Sequence, residues 1–297
     1  MATDSASWRS EALGERKELR LAQGTLPYHE AGSGPAIVFV HGALVNANLW
    51  RKVVPELARD FRCVALDLPL GSHLKPMPPE ADLSPPALAD LIADAIEALD
   101  LEDATLVGND TGGALCQLVA TRRPAVIGRL VLTSCDAFDN FPPKVMQPAM
   151  PILRLRGALR ALYAPVRLAA VRRRLMTLVG AAKRPVEPAA AASYGLPAVR
   201  SAEVRRDARK LLAGIDKSQT LEAGRALAGF DRPALIAWSR EDKLFPARYA
   251  ERLAAALPNA RLEWVEDSYT FSPEDQPDRL AGLIAEFARE PQPAPAA

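Results

Sequence analysis

The stretch VGNDTGG, residues 107–113, decides the fold. The apolar run ATL leads into it, and the helical pattern GGALCQLVATRR (residues 112–123) leads out of it. An apolar strand that ends in Gly-x-Asp-x-Gly and opens straight into a helix sets its central residue on a sharp turn at the C-terminal edge of a sheet. Such a turn strains the central backbone, and glycine is needed where neighbouring backbone crowds it. The helix behind the turn offers free N–H groups and the positive end of its dipole, which together hold a carboxylate ionised. Asp110 is therefore expected at an exposed elbow. The plainer reading is an aspartate that simply caps a helix after a buried strand, and the elements on both sides favour the elbow.

Working outward, the same rhythm recurs. AIVFVHG (36–42), CVALDLP (63–69), ATLVGND (104–110), GRLVLTSCD (128–136), PALIAWS (233–239) and ARLEWVE (260–266) read as strands. LWRKVVPELARD (49–60), PPALADLIADAIEALDL (85–101) and residues 112–123 read as helices between them. Continuous apolar strands alternating with helices indicate a mostly parallel sheet of roughly eight strands, covered on both faces. LRLAQG (19–24) and LPYHEAG (26–32) are expected to form an antiparallel edge. Between Phe141 and Phe230 the chain is rich in Arg, Ala and Leu, holds several prolines and shows no strand. The expected division is a polar tail over 1–18, an α/β core over 19–140 and 230–290, a helical cap inserted over 141–229, and a disordered tail over 291–297.

Composition narrows the function classes. The chain has 297 residues, 49% hydrophobic and 25% charged, with a net charge of +1. That balance gives no basis for nucleic-acid binding. The distribution is uneven. Residues 144–210 hold 15 Lys and Arg against 3 Asp and Glu, a local net of +12, which leaves −11 for the rest. Such asymmetry can mark an anionic partner or a solvated arginine-rich surface. Cys63, Cys116 and Cys135 stand in apolar surroundings and read as reduced thiols of a cytoplasmic protein. The N-terminal stretch has no apolar core of a leader, and no window approaches 18 consecutive apolar residues, so no membrane span is expected. No cofactor and no metal is expected. The partner is expected to be a small molecule, with an anionic one compatible with the basic segment, and the protein a monomer or homodimer.

The motifs resemble those of the α/β-hydrolase superfamily over nearly the whole chain. VHG (40–42) looks like its oxyanion loop, DLPLGS (67–72) like the loop after its next strand, and WSREDKLFP (238–246) like the strand end that carries its acid, here Asp242. The segment 141–229 is similar to the family's helical cap. Aspartate at the elbow resembles the branch of haloalkane dehalogenases, fluoroacetate dehalogenases and epoxide hydrolases. The resemblance implies that Asp110 attacks carbon to form an ester, which a histidine-activated water then cleaves. It implies an oxyanion-type donor pair from the backbone N–H groups of Ala43 and Thr111. It also implies that Asp110 lines a pocket between core and cap.

The resemblance breaks at the histidine. The family pattern H-F-P-x-E-x-x-P, set on Pro277, puts Thr270 in the histidine position, with Phe271 and Glu274 matching. Only His29, His41 and His73 exist, and none has the right place in chain order. A threonine hydroxyl is no base near neutral pH, and losing a general base costs roughly 10²–10⁴-fold in rate. Asp242, Asp136 or Asp139 are the candidate substitutes, since clustered carboxylates raise one another's pKa. The residues after the nucleophile and after the HG pair are Thr111 and Ala43, so the halide-binding Trp and Asn usual in dehalogenases are absent, as is the Arg of fluoroacetate dehalogenases. Tyr163 and Tyr194 are candidates for substrate binding, protonating an opening epoxide as two cap tyrosines do in epoxide hydrolases. The expected function is a hydrolase of a small electrophile (epoxide, ester or alkyl halide) with impaired water activation. The alternative is a non-hydrolytic relative, a lyase, isomerase or ligand-binding protein, using the same pocket.

Overall fold

The structure, a computed structural model, describes residues 8–155 and 157–291. Eight strands form one sheet: β1 (Glu15–Leu21), β2 (Gly24–Ala31), β3 (Ala36–Val40), β4 (Arg62–Leu66), β5 (Thr105–Asp110), β6 (Arg129–Cys135), β7 (Ala234–Ser239) and β8 (Ala260–Val265), in the order β1-β2-β4-β3-β5-β6-β7-β8. β1 and β2 pair antiparallel, β2 joins β4 antiparallel, and every other pairing is parallel. The antiparallel edge and the parallel core both match the strand pattern read above.

Register explains why the central strands are apolar throughout. Val38, Leu106, Leu130 and Ala234 lie side by side across β3, β5, β6 and β7. Their side chains enter one core cluster, beneath α2 (Pro85–Ala98) and α3 (Thr111–Arg122). Their neighbours Ile37, Phe39, Val107, Val131 and Leu235 enter the other cluster, against α12 (Pro277–Arg289). A strand covered on both faces has no polar side to show. Each fully buried Val, Leu or Ile contributes about 1.5–3 kcal/mol by leaving water.

Two expectations are corrected. The helix read over 49–60 is a 3₁₀ turn (Ala47–Trp50) followed by the single α-turn α1 (Val54–Leu57). Pro55 lacks an N–H and can sit only at a helix start, so the two turns do not merge. The polar tail expected over 1–18 is structured from residue 8 onward: β1 starts at Glu15, and Arg9 is buried with its guanidinium on both oxygens of Asp67 at 2.8–2.9 Å. The alternating strand ERKELRL exposes one face of an edge, so its polar residues resemble a tail. The tail expected over 291–297 falls, beyond Pro291, outside the described residues.

Between β6 and β7 the described chain is helical: α4 (Met150–Leu153), α5 (Ala158–Tyr163), α6 (Ala169–Leu178), α7 (Pro188–Arg200), α8 (Ala202–Gly214) and α9 (Lys217–Ala226). After β7 come α10 (Arg248–Ala256) and, between β8 and α12, the short α11 (Ser272–Asp275). The C-terminal ends of β5, β6 and β7 therefore meet at one sheet edge, which gathers Asp110, Asp136 and Asp242.

Candidate active site

Asp110 sits at the end of β5 with φ 55 and ψ −132, a left-handed backbone uncommon outside glycine. Holding a residue there costs about 1–3 kcal/mol, which persists only when the surroundings demand it. Here they do. A side chain on Gly112 would strike the carbonyls of Val40 and His41, and one on Gly42 would strike the Asp110 carboxylate. The Asp110 side chain makes no cap hydrogen bond to α3, so it is not a helix cap. The backbone N–H groups of Thr111 and Ala43, the pair expected as oxyanion donors, favour its ionised form. Asp110 is half-buried. Burial pushes its pKa up to about 7, the N–H groups of Thr111 and Ala43 pull against that, and the charge of Asp242 adds to the rise.

Asp242 follows β7. Its Oδ1 accepts from the N–H groups of Leu244 and Phe245, both at 2.8 Å, and from the Thr270 hydroxyl at 3.0 Å. Its Oδ2 is buried with no partner among the described residues. Burial raises Asp242 to about 6 against those donors. Thr270 is fully buried, and its carbonyl accepts from the Asn109 amide at 2.7 Å. The structure thus brings Thr270, Asp242 and the residue preceding Asp110 into one hydrogen-bonded chain.

Asp136 follows β6. Its Oδ2 accepts from the Thr111 hydroxyl at 3.2 Å, and its Oδ1 is buried without a partner among the described residues. Burial first, and then the neighbouring Asp110, push it well above the ordinary carboxylate range. Three carboxylates and no paired cation make a site that favours protonation of at least one of them. Asp139 does not belong to this group. Lys144 at 2.6 Å and Arg252 at 3.2 Å hold it, and Lys144 first of all brings it down to about 2.

The histidines are engaged elsewhere. His41 has Nδ1 2.8 Å from the Gly42 carbonyl, and its Nε2 accepts from the Leu68 N–H at 3.0 Å. Nδ1 therefore carries the proton and donates, and burial brings the ring down to about 4, so His41 is a neutral strut of the oxyanion loop. His29 is buried in β2. His73 lies 3.2 Å from Asp207 of α8, tying the loop after β4 to the insertion.

The two tyrosines are both buried, and neither hydrogen-bonds to Asp110. Tyr163 has a hydroxyl with no partner among the described residues, beside an arginine-lined concavity. The Tyr194 hydroxyl donates to Glu274 at 2.8 Å, and Arg51 grips the same carboxylate with two bonds, at 2.5 and 2.9 Å. Tyr194 is thus committed to a buried polar network, which corrects its expected role as a substrate ligand. Sequence reasoning missed Arg51 and this network. Glu274, in the pattern ending at Pro277, was the available signal. Two concavities of about 190 and 220 Å³ open on the insertion, lined by arginines of α5, α7 and α8 and not by Asp110.

Comparison with known proteins agrees with this architecture. The model of the alpha/beta hydrolase fold matches residues 35–277. An uncharacterized protein of Mycobacterium tuberculosis (strain ATCC 25618 / H37Rv) is 30% identical over 280 residues, covering 89% of this chain and 78% of the relative. Haloalkane dehalogenase 2 of the same organism is 30% identical over 274 residues, covering 89% of this chain and 92% of the relative. The crystal structure of a haloalkane dehalogenase from Bradyrhizobium elkani USDA94 superposes with a TM-score of 0.77, at 22% identity, over 92% of this chain and 97% of that one, a likeness of fold. No helix of the described residues is long and apolar enough to cross a membrane.

Proposed function

The chain belongs to the alpha/beta hydrolase fold family, and we propose that it acts on a small electrophile through Asp110, forming a covalent ester that it hydrolyses slowly. One observation carries this reading. The strained elbow aims the Asp110 carboxylate at the N–H groups of Ala43 and Thr111, while the Thr270 hydroxyl occupies Asp242. This arrangement supports a nucleophile with oxyanion donors that works without an imidazole.

The chemistry follows in two steps. In the first, an Asp110 carboxylate oxygen attacks an electrophilic carbon and the leaving group departs with its electron pair. This step needs only the ionised carboxylate. The carbonyl oxygen of the resulting ester faces the N–H groups of Ala43 and Thr111, which stabilise the charge that develops on it when water adds. In the second step water attacks the ester carbonyl and must lose a proton. Asp242, raised to about 6, is the nearest basic group, but its free Oδ2 is buried and its Oδ1 already accepts three hydrogen bonds. Attack and hydrolysis therefore separate in rate. The helical insertion acts as the cap that closes the site, and its basic character favours anionic substrates.

A second reading rests on the raised pKa of Asp110. A carboxylate titrating at about 7 is matched to proton abstraction near neutrality, and Asp110 would then serve as a general base in a lyase or isomerase. Intact-protein mass spectrometry separates the two. Incubation with a panel of epoxides, alkyl halides and activated esters should give a stable mass increase that Asp110→Asn abolishes. Turnover of a substrate with no adduct on any timescale would favour the second reading.

A further inference from the structure

The helical insertion carries a surface that the chemistry at Asp110 does not use. The large hydrophobic side chains that stand exposed among the described residues all lie within residues 145–179. Ile152, Leu155, Leu162, Leu168 and Leu178 are 48–75% exposed. α6 contains no buried side chain at all, although it has ten residues. Isolated surface leucines need no explanation, but a concentration of this kind marks an interaction site.

The charge of the same segment is one-sided. Residues 144–182 contain eight Lys and Arg and no Asp or Glu. Arginines also converge in space. Arg160 and Arg205 line both concavities, joined by Arg206 and Arg209 in one and by Arg167 and Arg200 in the other, and no acidic side chain lines either. The second concavity also holds Tyr163, whose buried hydroxyl has no partner among the described residues. A guanidinium cluster fits phosphate oxygens, although Arg206 also pairs with Asp207, and volumes of about 190 and 220 Å³ suit a headgroup-sized anion.

We propose that the helical insertion docks on an anionic membrane surface, its exposed leucines and isoleucine entering the interface and its arginine-lined concavities taking lipid phosphates. Basic and apolar residues alternate along LRLRGALRALYAPVRLAAVRRRLMTLV (153–179) without separating into a single stripe. Such interleaving suits a fluid interface that accepts side chains across a broad area, combining buried apolar surface with attraction to anionic lipid. A second copy of the chain is a poor occupant, because a two-fold contact would set two purely basic segments against each other. The proposal does not rest on the chemistry of Asp110.

Co-sedimentation with vesicles tests it. The protein should bind vesicles of equal parts phosphatidylcholine and phosphatidylglycerol, bind pure phosphatidylcholine vesicles far less, and lose binding as salt rises. The double variant Leu168→Asp/Leu178→Asp alters only exposed positions and should bind poorly while keeping its circular dichroism spectrum. Arg160→Gln and Arg205→Gln should each weaken binding about fivefold. Failure of the unaltered protein to bind the anionic vesicles overturns the proposal, as does undiminished binding by the double aspartate variant. Saturable binding of inorganic pyrophosphate without vesicle binding would instead make the concavities a site for a free anion. A concentration-dependent dimer abolished by Leu178→Asp, again without vesicle binding, would assign the surface to a second copy.

Discussion

The Thr270 hydroxyl donates to Asp242 Oδ1 at 3.0 Å, while Asp242 Oδ2 is buried with no partner among the described residues. An acceptor left free in a closed site costs stability, on the order of 1–3 kcal/mol for a buried polar group.

Thr270→His should shorten the life of the Asp110 ester. A restored base is worth up to about 10²–10⁴ in hydrolysis rate, while formation of the adduct should change little. Time-resolved intact mass spectrometry reads both rates separately. An adduct of unchanged lifetime in a folded Thr270→His protein would mean that the imidazole does not reach the ester.

Alkylation of Asp110 should follow its ionisation. With its pKa raised to about 7, the rate should climb with pH and reach half its maximum near pH 7, where an ordinary aspartate would already be at its plateau. Asp242→Asn removes a neighbouring negative charge and should move that midpoint downward. Asp136 is pushed well above the usual range by burial and then by Asp110, but the rise of Asp110 draws on the charge of Asp242 and not on that of Asp136, so Asp136→Asn should leave the midpoint in place. A pH–rate series on the three proteins decides it. A large shift from Asp136→Asn alone would show that Asp136 carries the charge.

Asp110→Asn should stabilise the fold, and more so at higher pH. The native state holds the Asp110 proton more tightly than the unfolded chain does. Its contribution is therefore fully present below about pH 4 and is lost as pH rises through about 7. An amide does not titrate. The stability of the variant over its parent should thus grow between pH 4 and pH 8, by about 1–3 kcal/mol. Urea unfolding at the two pH values measures this, and a constant difference would contradict it.

Glu274→Ala should destabilise the protein by up to about 3–5 kcal/mol, because it removes the buried partner of Arg51 and leaves it only the exposed Glu187 as a carboxylate partner. Arg51 and Glu274 have side chains only 7% and 3% exposed, and Tyr194 donates to the same carboxylate. Chemical denaturation should show the loss at every pH from 6 to 8. A change below 1 kcal/mol would mean that water replaces the lost partner.

How much of this was legible beforehand depends on the range of the interaction concerned. The five inner strands β3 to β7 were legible because strands covered on both faces must be apolar throughout, and VGNDTGG was legible because a strained turn demands glycine at set spacings. These are local requirements, and residue types within a few positions express them. The first half of β1, Glu15–Glu18, was hidden because a half-exposed edge strand is written in the same charged residues as a tail. The helix over 49–60 was overestimated because apolar spacing drew attention from Pro55.

Sequence by itself determined the sheet, the elbow and the absence of an imidazole at position 270. Only the tertiary structure decided what each carboxylate touches. Thr270 meets Asp242 across 28 residues, Asn109 meets Thr270 across 161, and Arg51 meets Glu274 across 223. Tyr194 looked like a substrate ligand until the fold carried Glu274 to its hydroxyl. The physical reason is that hydrogen bonds and desolvation act over a few ångströms in space. Chain order constrains them only within a turn of helix or a pair of adjacent strands, so the chemistry of a site assembled from four strand ends appears only once those ends lie side by side.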